Sequence, residues 1–167
     1  MKKQLLTLSF LLSLVWLVSC SNQQEMTAGT EKPTPPPTQS QPKRWYTQVQ
    51  VNRGNNLFQE NCAVCHKPDA SGTTNWRELD ANGKLPPPPL NGTAHTWHHP
   101  LSILRRTIRM GGIPLGGTMP EFEEKLTNKQ IDDILAWVQS HWPDEIYRIW
   151  DERDSQAKNR LQPIKKG

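Results

Sequence analysis

Two cysteines three positions apart, followed directly by a histidine, stand at Cys62-Ala63-Val64-Cys65-His66. Cysteines at that interval share one side of a helical turn, where both sulfurs can reach the two vinyl groups along one edge of a porphyrin. His66 then lies under the iron, with one imidazole nitrogen free to ligate the metal while the other donates to a carbonyl and fixes the ring. The pattern predicts one covalently attached c-type haem, with His66 as an iron ligand. Two other chemistries use the same residue types. A thioredoxin-like dithiol needs strands around it, and no alternating apolar pattern flanks the motif. A Cys₂His₂ zinc site could recruit His95 and His99, which have His-x₃-His spacing. The stretch between the two pairs, however, far exceeds the usual ~12–15 residues and is broken by Pro86-Pro87-Pro88-Pro89. With His98 these histidines form a trio that reads as surface or hydrogen-bonding residues, because no further ligand of clear spacing accompanies it.

The elements that must position the motif are helical. Gly54, Leu57 and Phe58 keep i, i+3, i+4 spacing and lead into Cys62, which predicts one helix over 49–65. Thr127-Asn128-Lys129-Gln130 reads as a capping box, and Ile131, Ile134, Leu135, Val138 and Trp142 follow on one face of a last helix. Another helix is expected to start near Pro100, carry Ile103, Leu104 and Ile108, and stop at Gly111-Gly112. From 148 onward patterning is weak and charge is mixed, so a ragged helical extension or a disordered tail is expected.

In order and spacing, Gly54-x₃-Phe58-x₃-Cys62-x₂-Cys65-His66, then Pro88-Pro89-Leu90-Asn91-Gly92, then Thr118-Met119-Pro120 and a last helix bearing Trp137 resemble the class I monohaem cytochromes c. The resemblance covers 49–142. It implies an all-α, cytochrome c-like fold wrapped around a covalently attached haem, with Gly54 and Phe58 where the first and last helices cross. It also implies that the Pro88 carbonyl accepts from His66, that Leu90 packs on the porphyrin, and that Met119 is the second axial ligand. The soft thioether of Met119 suits haem iron, and Gly116-Gly117 with Pro120 makes a loop able to approach the ring and hold still. Met110 is the competing methionine but has no flanking proline. A histidine ligand from the 95–99 turn is the other possibility, and it would give a lower potential. The two haem propionates need partners, for which Arg105, Arg106, Arg109 and Trp97 are candidates. The segments 70–89 and 92–100 depart from the shortest family members.

The chain has 167 residues, only 34% of them hydrophobic, and a formal charge of +4. So modest an apolar share leaves a small domain short of core, and a large apolar macrocycle would supply it. The charge lies in the flanks. Residues 45–147 carry 9 Lys and Arg against 11 Asp and Glu, whereas 148–167 carry 6 against 3. A nucleic-acid partner is excluded, since the basic stripe would have to lie within the domain.

Lys2 and Lys3 precede an apolar run over 5–18, shorter than the ~20 residues of a spanning helix, and Leu17-Val18-Ser19-Cys20 resembles the bacterial lipobox. This organisation predicts a lipoprotein signal peptide over 1–19, a lipidated Cys20 heading a proline-rich stalk over 20–44, a cytochrome c domain over 45–147 and a charged extension over 148–167. Such a protein would be exported and anchored in a membrane by its lipid, facing the periplasm or the cell exterior. Iron held by both His66 and Met119 has no open position for substrate, so the expected activity is one-electron transfer rather than catalysis. Its partners would be redox proteins of a respiratory or periplasmic electron-transfer chain. A haem enzyme or gas sensor with a labile sixth ligand, and a zinc-stabilised binding module, are the alternatives.

Overall fold

The computed structural model of the chain describes residues 40–161. The leader, Cys20 and the stalk as far as residue 39 therefore lie outside the described residues, as do 162–167. Among the described residues the chain forms five α-helices: α1 (Gln48–Asn61), α2 (Ala63–His66), α3 (Leu101–Met110), α4 (Asn128–Ser140) and α5 (Asp144–Arg160). Two short 3₁₀ turns, Thr96–His98 and Ile113–Leu115, complete the regular structure. The single β-type pairing there is an isolated bridge between Leu85 and Gly117. The all-α expectation holds.

Both long helices of the core start from reciprocal side-chain caps. Thr127 Oγ1 accepts from Gln130 N at 3.3 Å while Gln130 Oε1 accepts from Thr127 N at 2.9 Å, the capping box read from the sequence. Thr47 and Gln50 repeat the device at α1. These caps fix where α1 and α4 begin, and hence which faces meet. Gly54 lies so close to α4 that a Cβ there would stand 1.8 Å from the Asp133 carbonyl oxygen and 2.9 Å from Trp137 Cβ. One turn along, the Phe58 and Trp137 rings pack at 4.2 Å between centroids, and Arg53 grips the buried Asp133 carboxylate through two bonds of 2.7 and 2.9 Å. Glycine for approach and aromatics for contact thus make the crossing that the resemblance implied.

Four expectations need correction. The first helix does not run unbroken to residue 65: Cys62, at φ −121°, closes α1 by donating to the Phe58 carbonyl at 2.8 Å. One new turn then carries Cys65 and His66. Trp142 is not on the last face of α4 but in the turn after it, because Pro143 disfavours helical geometry in the residue before it and opens α5. The region after 147 is neither ragged nor a separate extension, since α5 runs through that boundary to Arg160 with Tyr147, Trp150 and Asp154 buried. At the other end Arg44, assigned to the stalk, is part of the fold. Its guanidinium lies 4.0 Å over the Tyr147 ring and binds Asp144 Oδ1 at 2.6 Å.

Candidate functional site

The break at Cys62 turns the cysteine–histidine segment away from the α1 axis. Within the new turn, His66 N donates to the Cys62 carbonyl at 2.9 Å. Both thiols are free, Cys62 half-buried and Cys65 exposed. Burial, with the nearby Cys65 adding to it, pushes the Cys62 thiol up to about 11, so it is a neutral thiol at neutral pH. His66 is 7% exposed and its Nδ1 lies 3.0 Å from the Pro88 carbonyl oxygen, to which it must donate, since a carbonyl only accepts. Burial holds the imidazole below the usual histidine range, against a smaller opposing effect of that hydrogen bond. A neutral ring with Nδ1–H anchored and Nε2 left as acceptor is the form a metal-ligating histidine takes.

The carbonyl that orients His66 is itself held by a tight lattice of backbone contacts. Gly72 donates to the His66 carbonyl at 2.9 Å, Thr73 to Pro87 at 2.9 Å, and Leu90 to Ala70 at 2.8 Å. Gly72 sits at φ +59°, and a Cβ on it would meet Pro88 C at 2.4 Å, so only glycine lets the Pro88 segment lie this close. Lys67 and Ala70, at φ 64° and 58°, are the two non-glycine residues with left-handed backbone among the described residues. Both fall in this loop, and strain of that kind costs on the order of 1–3 kcal/mol per residue. Leu90, partly buried, packs against the core, and its carbonyl accepts from Trp142 Nε1 at 2.8 Å.

Met119 is also partly buried against the core, whereas Met110 is 51% exposed at the end of α3. The Met119 loop is pinned from behind. Gly112 N donates to the Met119 carbonyl at 2.9 Å, and Gly111, at φ +73°, lies so close that a Cβ would meet that oxygen at 2.7 Å. Apolar side chains stand uncovered around both the cysteine turn and this loop. Val64 is 90% exposed, Leu115 78% and Ile113 59%. An anchored neutral imidazole, two thiols on one turn, a thioether on a fixed loop and bare apolar surface beside them fit a covalently held haem.

The proposed propionate partners fare differently. Arg105 is engaged by Asp132 of α4 through bonds of 2.6 and 3.0 Å, and Arg109 by Glu123. Both are thus ion-paired to acidic residues that α4 and the 121–124 loop bring alongside α3. Arg106 remains exposed. Trp97 is half-buried, its ring edge-on to His98 at 3.9 Å with the Arg153 guanidinium 5.5 Å away. In the histidine trio, His95 stacks on Trp76 at 4.8 Å and meets His99 edge-on at 5.6 Å. Among the described residues no three His, Cys, Asp or Glu side chains gather where they could hold one metal ion. The Cys₂His₂ arrangement is therefore not formed. Sequence reasoning missed Gly72 and Asp154, and took Gly111 only as a helix stop and Trp142 only as part of the last helix's apolar face. For the two glycines the available signal was the invitation to positive φ; for the other two there was none short of the third dimension.

No solved structure matches the chain. A family model described as "Cytochrome C oxidase, cbb3-type, subunit III" matches residues 49–138, more than half of the chain, spanning almost all of α1 through α4 and including Cys62, Cys65, His66, Pro88 and Met119. The chain therefore belongs to this cytochrome c family, whose members are all-α domains that carry covalent haem c and serve as electron carriers.

Proposed function

We propose that the chain is a membrane-tethered one-electron carrier whose haem iron is ligated by His66 and Met119. The observation that carries this reading is the His66 Nδ1 bond to Pro88, which leaves Nε2 as the ligating atom on a ring that cannot rotate. Met119 is favoured over Met110 because its loop is fixed by Gly111 and Gly112 while Met110 points to solvent. When bound, the haem supplies a reversible Fe(III)/Fe(II) couple. The chain's own residues set the conditions for it. His66 holds its proton on Nδ1, and Met119 offers a soft donor that favours the reduced state. Electrons then pass between proteins with no bond made or broken in the chain.

The leader and Cys20 support export and lipid anchoring, with the segment from 21 up to the fold at Arg44 as a stalk that gives reach and raises the local concentration of partners. The family description, naming a subunit of a respiratory oxidase, supports redox proteins of an electron-transfer chain as those partners. The visible spectrum of the holoprotein tests the ligand set. Low-spin bands with a weak methionine-to-iron charge-transfer absorption are expected, with Met119→Ala becoming high-spin at a lower potential and Met110→Ala changing neither. A wild-type protein that is high-spin and binds carbon monoxide readily would instead be an enzyme or sensor. Cys20→Ala should release soluble protein with its haem attached, and retention of that variant on membranes would remove the anchor.

A further inference from the structure

The family match ends at residue 138, yet the chain beyond it reaches back into the site. Three side chains from the α4–α5 turn and α5, each 1–2% exposed, end on backbone atoms of one segment. Trp142 Nε1 donates to the Leu90 carbonyl at 2.8 Å, Trp150 Nε1 donates to the His99 carbonyl at 3.0 Å, and Asp154 Oδ1 accepts from Leu101 N at 2.8 Å. The first bond lies two residues from Pro88, whose carbonyl anchors His66. Leu90 is gripped from both sides, its N–H by Ala70 and its carbonyl by Trp142. The indole also lies close against Gly92, where a Cβ would stand 3.2 Å from Trp142 Cδ1, so the ring supports the backbone over several residues.

We infer that Trp142 is a positioning residue for the axial histidine: by fixing the Leu90 carbonyl it holds the Pro88 carbonyl at hydrogen-bond distance from His66 Nδ1. This rests on the reading of His66 as iron ligand. A carbonyl accepting from Nδ1–H makes the imidazole a stronger donor through Nε2, which favours the oxidised iron. Loss of the Trp142 bond leaves a buried carbonyl without a donor and frees the Pro88–Leu90 backbone to shift. The Nδ1–H bond then lengthens and the potential rises.

The test uses the full-length holoprotein. Trp142→Phe keeps an aromatic ring and removes the N–H. The midpoint potential should rise, so that at a fixed ambient potential the oxidised-to-reduced ratio falls about two- to tenfold, the equivalent of one ordinary hydrogen bond. In proton NMR of the reduced protein, the His66 Nδ1–H resonance should move upfield and exchange faster with solvent. Trp150→Phe is the comparison. It removes an equally buried indole N–H from α5, directed at His99, and should weaken the fold without moving the potential or the His66 signal. Should Trp142→Phe fail to fold, benzothienylalanine at 142, which has the shape of tryptophan without the N–H, carries the same expectation. An unchanged potential and His66 resonance, or equal shifts in the Trp142 and Trp150 variants, would overturn the inference. A wild-type protein in which His66 gives no haem-shifted signal would remove the ligand reading first, and this inference with it.

Discussion

Gly54→Ala separates two opposite expectations for the α1–α4 crossing. In the open interior of a helix, alanine in place of glycine adds about 1 kcal/mol of stability. At Gly54 the added methyl would lie 1.8 Å from the Asp133 carbonyl oxygen, where ordinary contact begins near 3.4 Å. The two helices must part by about 1.6 Å to admit it, since both obstructing groups belong to α4 itself and neither is the free end of a flexible side chain. That movement loosens the Phe58–Trp137 contact, now 4.2 Å between ring centroids, and pulls Arg53 from Asp133. Overpacking costs roughly 1–3 kcal/mol and sometimes more, and the weakened aromatic pair adds to it. After the propensity gain is subtracted, a net loss of about 2 kcal/mol remains, which lowers Tm by roughly 8 °C or more in a domain of this size. Thermal unfolding of the holoprotein by circular dichroism checks this beside Asn56→Ala, an exposed site on the same helix expected to change stability by less than about 0.5 kcal/mol. A Gly54→Ala protein as stable as its parent would refute the close crossing.

Asp154→Ala should destabilise the fold by about 1–3 kcal/mol, because Leu101 N–H is left buried without an acceptor; Lys158, whose exposed ammonium lies 2.6 Å from the other Asp154 oxygen, can be changed to alanine without losing that bond and at a cost under about 1 kcal/mol, and denaturant midpoints measure both. Stability should also fall as pH drops below about 6.5. Burial, and then the positive charge of neighbouring histidines, holds His95 and His99 below that value in the folded chain. The unfolded chain therefore takes up protons first, and stability declines from the ordinary histidine value down to the lowered folded ones. A His95→Gln, His99→Gln double variant should show a flatter dependence between pH 7 and 5, and an unchanged slope would count against the assignment.

What could be read from the sequence was whatever depends on fixed spacing along the chain. Cys62, Cys65 and His66 identify their chemistry because one helical turn brings them together without help from elsewhere. The Thr127–Gln130 cap is equally local. Gly54, Phe58 and Pro88 needed the family pattern, since each acts on a partner far along the chain: Asp133, Trp137 and His66. Arg105 shows the limit. A cationic helix face beside a haem motif invites an anionic ligand, but its guanidinium is taken by Asp132, and nothing in the local spacing of either residue reveals that α3 and α4 lie side by side.

α5 was illegible for a related reason. Its inward positions are Tyr147, Trp150 and Asp154, i, i+3 and i+7 on one face, and the last reads in a sequence as surface charge. Asp154 is buried because it caps the first turn of α3, which begins after Pro100 with no side-chain cap of its own. The acid that an isolated α3 would carry at residue 100 is supplied from 53 positions away, and proline, preset for the turn into a helix, takes its place. The same logic applies to Leu90 and His99, whose carbonyls have their donors in Trp142 and Trp150. The segment between Pro88 and α3 contains almost no regular structure, so its backbone groups must be satisfied by side chains from outside it. Trp142, Trp150 and Asp154 answer that requirement, and a mixed-charge helix thereby becomes part of what holds the segment between Pro88 and α3 in place.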